Sequence, residues 1–245
     1  MKEAARQATL KRSVSLFRSF RLEQTKPEVF YRDLADDAVA QVLSYTPLDG
    51  MTMLDVGGGP GYFADAFEKA GAWYTPLDAD AGEFRLHGRS PAPGSVLGDG
   101  TALPFRTGSV DVAYSSNVAE HVREPWKLAD EMVRVTRPGG FVFLSYTLWF
   151  GPWGGHETAP WHYLGGERAA ARYERTNGHP PKNKFGESLF PISAHDGLRW
   201  AQQCPDAQLV HAVPRYLPSW SWFVLSVPGL REVLTWNLLL VLMKT

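Results

Sequence analysis

The sequence predicts an α/β fold, a mostly parallel sheet with helices on both faces. Three observations carry this. First, a short apolar run at residues 53–56 meets Gly57, Gly58, Gly59, Pro60 and Gly61, then passes into a helical apolar pattern of Tyr62, Phe63, Ala66, Phe67 and Ala70. Strand, glycine-rich turn and helix form the first half of a βαβ unit. Second, further short apolar runs at 73–77, 95–97, 110–115 and 141–146 alternate with helical or loop segments, as in parallel sheets built through crossovers. Third, Asp78 and Asp99 stand just past two of these runs. Ligands in such folds lie beyond the carboxyl ends of the strands.

Composition bounds the rest. A chain of 245 residues, 44% hydrophobic, suits one large α/β domain or one domain with an insertion. A net charge of −1 provides no global basic field for nucleic acid. The single cysteine, Cys204, excludes an internal disulfide and agrees with a reducing, cytoplasmic compartment. Residues 1–24 lack the apolar core and cleavage site of a secretory signal.

The glycine turn needs positive φ and lets a ligand approach bare backbone. The helix start behind it offers unpaired N–H groups and a positive dipole end. The run from Gly59 to Ala64 also fits the dinucleotide pattern G-x-G-x-x-A, with Asp78 near the ribose-binding acid. Asp55 weighs against that reading, because a carboxylate beside a phosphate site repels a dinucleotide. It suits a ligand with an amino group and a sulfonium charge. Here LDVGGGPGYF resembles the first motif of class I S-adenosylmethionine (SAM) methyltransferases, D-x-G-x-G-x-G. The resemblance implies a cofactor role for Asp55, Gly57, Gly58, Gly59 and Gly61.

Upstream, residues 3–22 read as a basic amphipathic helix with Leu10, Val14 and Phe17 on one stripe. It is expected to pack on the domain, with a lid or a membrane-surface helix as the alternatives. Pro27 opens a second helix to about Leu43, with Val29, Phe30, Leu34, Val39 and Val42 as its buried side. In the family, such helices cap the cofactor. Tyr31 is the candidate to reach the methionine carboxylate, with packing as the other role.

Downstream, the resemblance implies that Asp78 holds the ribose hydroxyls, Ala79 lies along the adenine, and Asp99 with Gly100 reads its amino group. Leu103-Pro104-Phe105 and the segment SSNVAEHV from Ser115 to Val122, with Asn117 opening the exit loop, extend the likeness to the type 11 methyltransferase family. A dehydrogenase would lack this second match. Residues 124–136 form an amphipathic helix with Lys127/Glu131 and Asp130/Arg134 as i,i+4 pairs. The segment RPGG, 137–140, stops that helix and turns into the fifth strand. The likeness covers about residues 50–147. It implies a Rossmann-like sheet of seven strands, order 3-2-1-4-5-7-6, the last one antiparallel.

Residues 148–192, rich in Gly, Pro, aromatic and basic residues, interrupt the pattern on the cofactor side, where loops carry specificity. Trp149, Trp153, His162, Tyr163, Arg168 and Arg172 are the candidate substrate contacts, suited to an acceptor with an apolar part and an acidic group. Ser193 caps a helix to about Gln203, and 207–213 and 237–243 supply the last strands. The aromatic stretch 219–243 is long enough to span a membrane, but Arg231 and Glu232 at its middle oppose that. The expected organisation is a helical cap at 1–48, a SAM-binding core at 49–147, a substrate-binding insertion at 148–192, and completion of the same domain at 193–245.

The function expected is methyl transfer from SAM to a small-molecule acceptor, O-methylation favoured, for instance of a lipid or glycolipid precursor. The donor is already activated, so the protein mainly aligns and dehydrates. A hydroxyl acceptor wants a general base, for which His121 and His156 are the candidates. The transfer requires no metal, and His156, Glu157 and His162 match no common ligand spacing. Peripheral contact with a membrane through the basic N-terminal helix and Trp220, Trp222 and Phe223 is an expectation as well. Three alternatives stay open: a SAM-binding regulatory protein without transfer activity, an NAD-dependent oxidoreductase on a similar fold, and an RNA methyltransferase. Against the last stand the neutral charge and SSNV in place of an N-P-P-Y-type tetrapeptide.

Overall fold

The computed structural model describes residues 2–23, 25–88 and 90–245. Among these, seven strands form one sheet in the order β3-β2-β1-β4-β5-β7-β6. They are β1 (Thr52–Val56), β2 (Trp73–Asp78), β3 (Val96–Leu97), β4 (Val110–Ser116), β5 (Thr136–Thr147), β6 (Ala207–Pro214) and β7 (Asn237–Lys244). Neighbours from β3 to β5 pair in parallel, and β7 runs antiparallel between β5 and β6. The expected order and reversed last strand are both observed.

Both faces of the sheet are covered, so the central strands are apolar on both sides. Leu54 and Val56 of β1 point into one core with Leu128, Met132 and Ala201. These belong to α5 (Pro125–Val135) and α7 (Ala194–Gln203). Met53 points to the other face, with Ala38, Val42, Ala64 and Phe67, which belong to α3 (Pro27–Leu43) and α4 (Tyr62–Lys69). Strand alternation puts Asp55 on this second face.

The expected helix over 3–22 is two helices, α1 (Lys2–Gln7) and α2 (Leu10–Phe20). Thr9 breaks the run: it is extended, and its hydroxyl caps α2 by accepting from the Arg12 N–H at 3.2 Å. The stripe expected to pack inward faces out instead, with Leu10 59%, Val14 40% and Phe17 43% exposed. Polar contacts orient α2. Arg12 bonds both carboxylate oxygens of Asp37 on α3 and the Arg215 carbonyl at 3.0 Å, and the Ser19 hydroxyl donates to Asp33. In α3 the buried residues are Leu34, Ala35, Ala38 and Val42, whereas Val29 is exposed.

Two local expectations are also revised. RPGG is a bulge within β5 rather than a turn before it. Thr136 pairs with Val110 and Phe141 with Val112, so four residues bow out between them. A Cβ on Gly140 would lie 2.5 Å from the Asp111 carbonyl oxygen. On α5 the ion pairs re-sort. Glu131 bonds Arg134 and also accepts from the Leu103 N–H at 2.8 Å, while Asp130 accepts from the Trp200 indole. Local i,i+3 pairs and tertiary partners together replace the weak i,i+4 pairs.

The insertion carries short 3-10 turns at His156–Thr158 and Trp161–Leu164 and then α6 (Gly166–Asn177). The aromatic stretch after β6 folds as a 3-10 helix, Ser219–Ser226, followed by α8 (Leu230–Leu234). Among the described residues no helix is long and apolar enough to cross a membrane. Glu232, the acid at the middle of that stretch, serves as a helix cap. Its carboxylate accepts from the N–H groups of Ala194 and His195 at the start of α7, beside Ser193.

Candidate active site

The glycines of the turn after β1 differ in their surroundings. Gly57 and Gly58 have no room for a side chain. A Cβ on Gly57 would sit 2.2 Å from a Val118 methyl, and one on Gly58 would sit 2.6 Å from Pro76 Cβ. Gly59, at φ +50°, faces open space: a Cβ there meets nothing within 4 Å among the described residues. Gly61, at φ +80°, is left-handed and starts α4. Gly59 is therefore where bare backbone is presented to a ligand.

Asp78 ends β2 directly over this turn. Its Oδ2 accepts from the Gly59 N–H at 3.3 Å and its Oδ1 from the Asp80 N–H at 3.1 Å. Partial burial raises its pKa. Ala79 beside it is exposed. Asp99, past β3, is exposed, and its Oδ1 accepts from both the N–H and the hydroxyl of Thr101, which lowers its pKa. Gly100 serves packing, since a Cβ there would lie 2.9 Å from Leu128. Asn117 leaves β4 at φ +59°, a conformation asparagine tolerates. Its amide donates to Thr147 and accepts from Ser116 and Tyr216.

Asp55 does not line the opening. It is 2% exposed, under α4, and the Tyr74 hydroxyl donates to it. Burial pushes its pKa up to about 7, against the hydrogen bond from Tyr74 and the charge of Arg215. The period of the strand puts the carboxylate beneath the turn rather than beside the ligand. Tyr31 of α3 stacks on Tyr62, the first residue of α4, with centroids 5.4 Å apart and planes at 10°. Its hydroxyl donates to Glu23 at 3.3 Å.

Residues 148–192 are fastened at several points around the carboxyl ends of the strands. Trp153 packs on Phe20 of α2 at 5.3 Å and on Trp236 at 6.0 Å. Lys182 pairs with Glu83, in the loop after β2, at 3.6 Å. The Phe190 N–H donates to the Glu120 carbonyl, and His121 Nδ1 bonds the Ser188 carbonyl at 2.7 Å. Trp149 and His162 are buried and form the insertion's own core, with rings 5.4 Å apart and Trp149 4.8 Å from Phe185. Tyr163 is half exposed, its hydroxyl donating to the carbonyls of Phe150 and Gly151. Arg168 and Arg172 are exposed on α6, and the Arg172 guanidinium lies 4.0 Å over the Trp161 ring.

The fold joins His121 and His156, which the sequence singled out separately, and adds Glu120, which it did not. One ligand atom from each lies within 4.8 Å of the others, and the two imidazole centroids are 5.0 Å apart. His156 adopts φ +48°. Its Nε2 is buried with no hydrogen-bond partner among the described residues. Burial pushes its pKa down to about 4, so the ring is neutral near pH 7. Glu120 is 1% exposed; Oε1 accepts from the Thr147 N–H at 3.1 Å and Oε2 has no partner among the described residues. Val118, just before this group, is the residue that fills the space over Gly57, which brings the cluster next to the glycine turn.

Arg215 is a second omission of the sequence reading. It is 1% exposed and donates to Ser116, Ser145 and Tyr114. The signal in the sequence is no more than a cation just past an apolar strand.

A glycine turn open at one residue, an acid at the next strand end and a sheet with one reversed last strand define a Rossmann-like enzyme that binds a nucleoside cofactor. The chain belongs to the class I SAM-dependent methyltransferases. Residues 54–144 match the model of the family described as methyltransferase domain. The chain is 54% identical to an uncharacterized methyltransferase of Mycolicibacterium gilvum over 98% of its own length and 97% of that protein's. It is also 54% identical to an uncharacterized methyltransferase of Mycobacterium tuberculosis (strain ATCC 25177 / H37Ra), over 97% and 96%. The fold is similar to the crystal structure of an S-adenosylmethionine-dependent methyltransferase from Mesorhizobium loti: TM-score 0.58 and 19% identity, with 87% of this chain and 100% of that one covered. SAM is the cofactor, and open space at Gly59 with the two-oxygen acceptor Asp78 above it fits such a ligand.

Proposed function

We propose that this enzyme transfers the methyl group to an oxygen of a small, lipid-like acceptor, such as a lipid or glycolipid precursor, held under residues 148–192. The observation that carries the proposal is the polar group Glu120, His121 and His156, with two buried atoms that have no partner among the described residues, near the glycine turn. When bound, the cofactor supplies a methyl on a positively charged sulfur. This chain's own residues then hold and orient: Gly59, Asp78, Ala79 and Asp99 on the nucleoside side, Tyr31 and Asn117 toward its amino-acid end. Trp153 and Tyr163 would offer apolar walls to the acceptor, and Arg168 and Arg172 cationic contacts. An acceptor hydroxyl would be oriented and activated for proton loss at the Glu120, His121 and His156 group, beside the insertion.

The proposal includes peripheral contact with anionic membranes, where such acceptors reside. Its support is the outward apolar stripe of α2, Leu10, Val14 and Phe17, with Lys11, Arg18 and Arg21 exposed around it. Trp220 and Phe223, 71% and 61% exposed, extend from a segment whose Ser219 N–H bonds the Ala8 carbonyl.

The test is incubation with methyl-labelled SAM and a fractionated lipid extract. Label in an organic-soluble product that survives mild alkali but is released as methyl iodide by hydriodic acid marks an ether and supports the reading, whereas label that survives both marks a methyl on carbon or nitrogen and moves the acceptor atom. Alkali-labile label marks a carboxyl ester and moves the acceptor atom. Label only in water-soluble products removes the lipid reading.

A further inference from the structure

We propose that Glu120, His121 and His156 form a binding site for one divalent first-row transition-metal ion. Two histidine nitrogens and one carboxylate oxygen are a donor set that binds such ions with a position left open, as in His2Glu zinc sites. The geometry supplies several independent signs. Glu120 is nine-tenths buried and more, yet its Oε2 bonds to nothing among the described residues. A buried carboxylate oxygen without a partner is costly unless a cation completes it. The Nε2 of His156 is also buried and unbonded, on the same group. His121 is oriented from behind: Nδ1 meets the Ser188 carbonyl at 2.7 Å, which makes Nδ1 the donor and leaves the Nε2 lone pair free. A backbone carbonyl commonly fixes ligating histidines in this way. The left-handed φ of +48° at His156 is a strained backbone, and such strain concentrates where a side chain must be aimed.

In the sequence, His156, Glu157 and His162 match no common ligand spacing, and no metal is expected. Those do not converge: Glu157 accepts from Asn183, and His162 packs between Trp149 and Tyr163. In the proposed site the histidines act as ligands rather than bases, and the open position takes the acceptor oxygen. There the hydroxyl proton is more acidic and passes to water. The oxygen lone pair forms the new carbon–oxygen bond as the methyl–sulfur bond breaks, and the thioether leaves neutral. This role rests on the proposed acceptor position; ion binding does not.

The experiment is calorimetric titration of EDTA-treated protein with Zn2+, with Co2+ absorption as a second readout of nitrogen and oxygen ligation. We expect one ion per chain. Affinity should fall more than about tenfold in Glu120→Gln and in His156→Asn, since asparagine keeps the left-handed backbone accessible. SAM affinity is measured on the same samples and should be unchanged, which shows that the variants fold. The proposal is overturned if wild type takes up no stoichiometric ion, or if both folded variants bind as wild type does. Stoichiometric binding without any label transfer would instead count against the acceptor reading and leave the site standing.

Discussion

Tyr31 and Tyr62 stack face to face, 5.4 Å between centroids and 10° between planes. The contact joins the N-terminal helices to the first residue of the helix behind the glycine turn. An aromatic pair of this kind contributes about 1 kcal/mol beyond its buried area. A double-mutant cycle with Tyr31→Ala and Tyr62→Ala, read by urea unfolding, is expected to give a coupling of about that size. Zero coupling would mean that the helical cap rests on other contacts, such as Arg12 with Asp37. Tyr31→Phe should keep the coupling and lose the bond to Glu23.

Gly58 and Gly59 are adjacent and should respond oppositely. Gly58→Ala places a methyl 2.6 Å from Pro76 Cβ and is expected to destabilise by about 1–3 kcal/mol through overpacking. Gly59→Asn tolerates the left-handed φ, and its Cβ meets no heavy atom within 4 Å among the described residues. It should fold normally and bind SAM at least tenfold more weakly. Thermal melts and calorimetry on both variants separate the two. Unchanged SAM affinity in Gly59→Asn would move the pocket elsewhere.

Asp78→Ala removes the acceptor above the turn. A loss of about 1–3 kcal/mol in SAM binding is expected, the value of a hydrogen bond to a charged group. Asp78→Asn retains one acceptor oxygen and should lose less. Equal losses would assign Asp78 an electrostatic rather than a hydrogen-bonding role.

Asp55 makes stability depend on pH in an uncommon direction. Its folded pKa is raised from the ordinary carboxylate range to about 7. Between about pH 4 and pH 7 the folded state therefore holds a proton that the unfolded chain has released. Stability falls as pH rises through this window, and above it the full penalty of about 4 kcal/mol is present. Asp55→Asn keeps an acceptor for Tyr74 but cannot ionise. Its melting temperature relative to wild type should rise steadily from pH 4 to pH 7 and then level off. A constant difference across that range would show that Asp55 stays ionised when folded.

The exposed stripe of α2 is tested by sedimentation with vesicles. Vesicles containing phosphatidylglycerol should carry the protein down at low salt and neutral phosphatidylcholine vesicles much less, because both apolar insertion and basic charge contribute. Leu10→Ser with Phe17→Ser should abolish pelleting. No pelleting with either lipid ends the membrane reading.

The sheet, the glycine turn and the acids at the strand ends were legible in the residues alone. They are written in short-range patterns: a period-two or continuous apolar run, a glycine where φ is positive, an acid at a run's end. Gly59 and Asp78 were legible too, because their neighbours in space are their neighbours in the βαβ unit. Other features came from packing between distant segments. Amphipathic periodicity marks a stripe on α2 but not which way it turns, and the Arg12–Asp37 pair turned Leu10, Val14 and Phe17 to the outside. The acidic residue Asp55 lay in a motif, yet its place in the strand alternation put it beneath the turn. Spacing gave His121 and His156 as separate candidates and did not join them. The chain instead bends at His156 and returns along Ser188 and Phe190, so that His156 meets Glu120 and His121 from the exit of β4. Contacts between residues far apart in sequence follow from how packed elements close on one another, and no local periodicity records them.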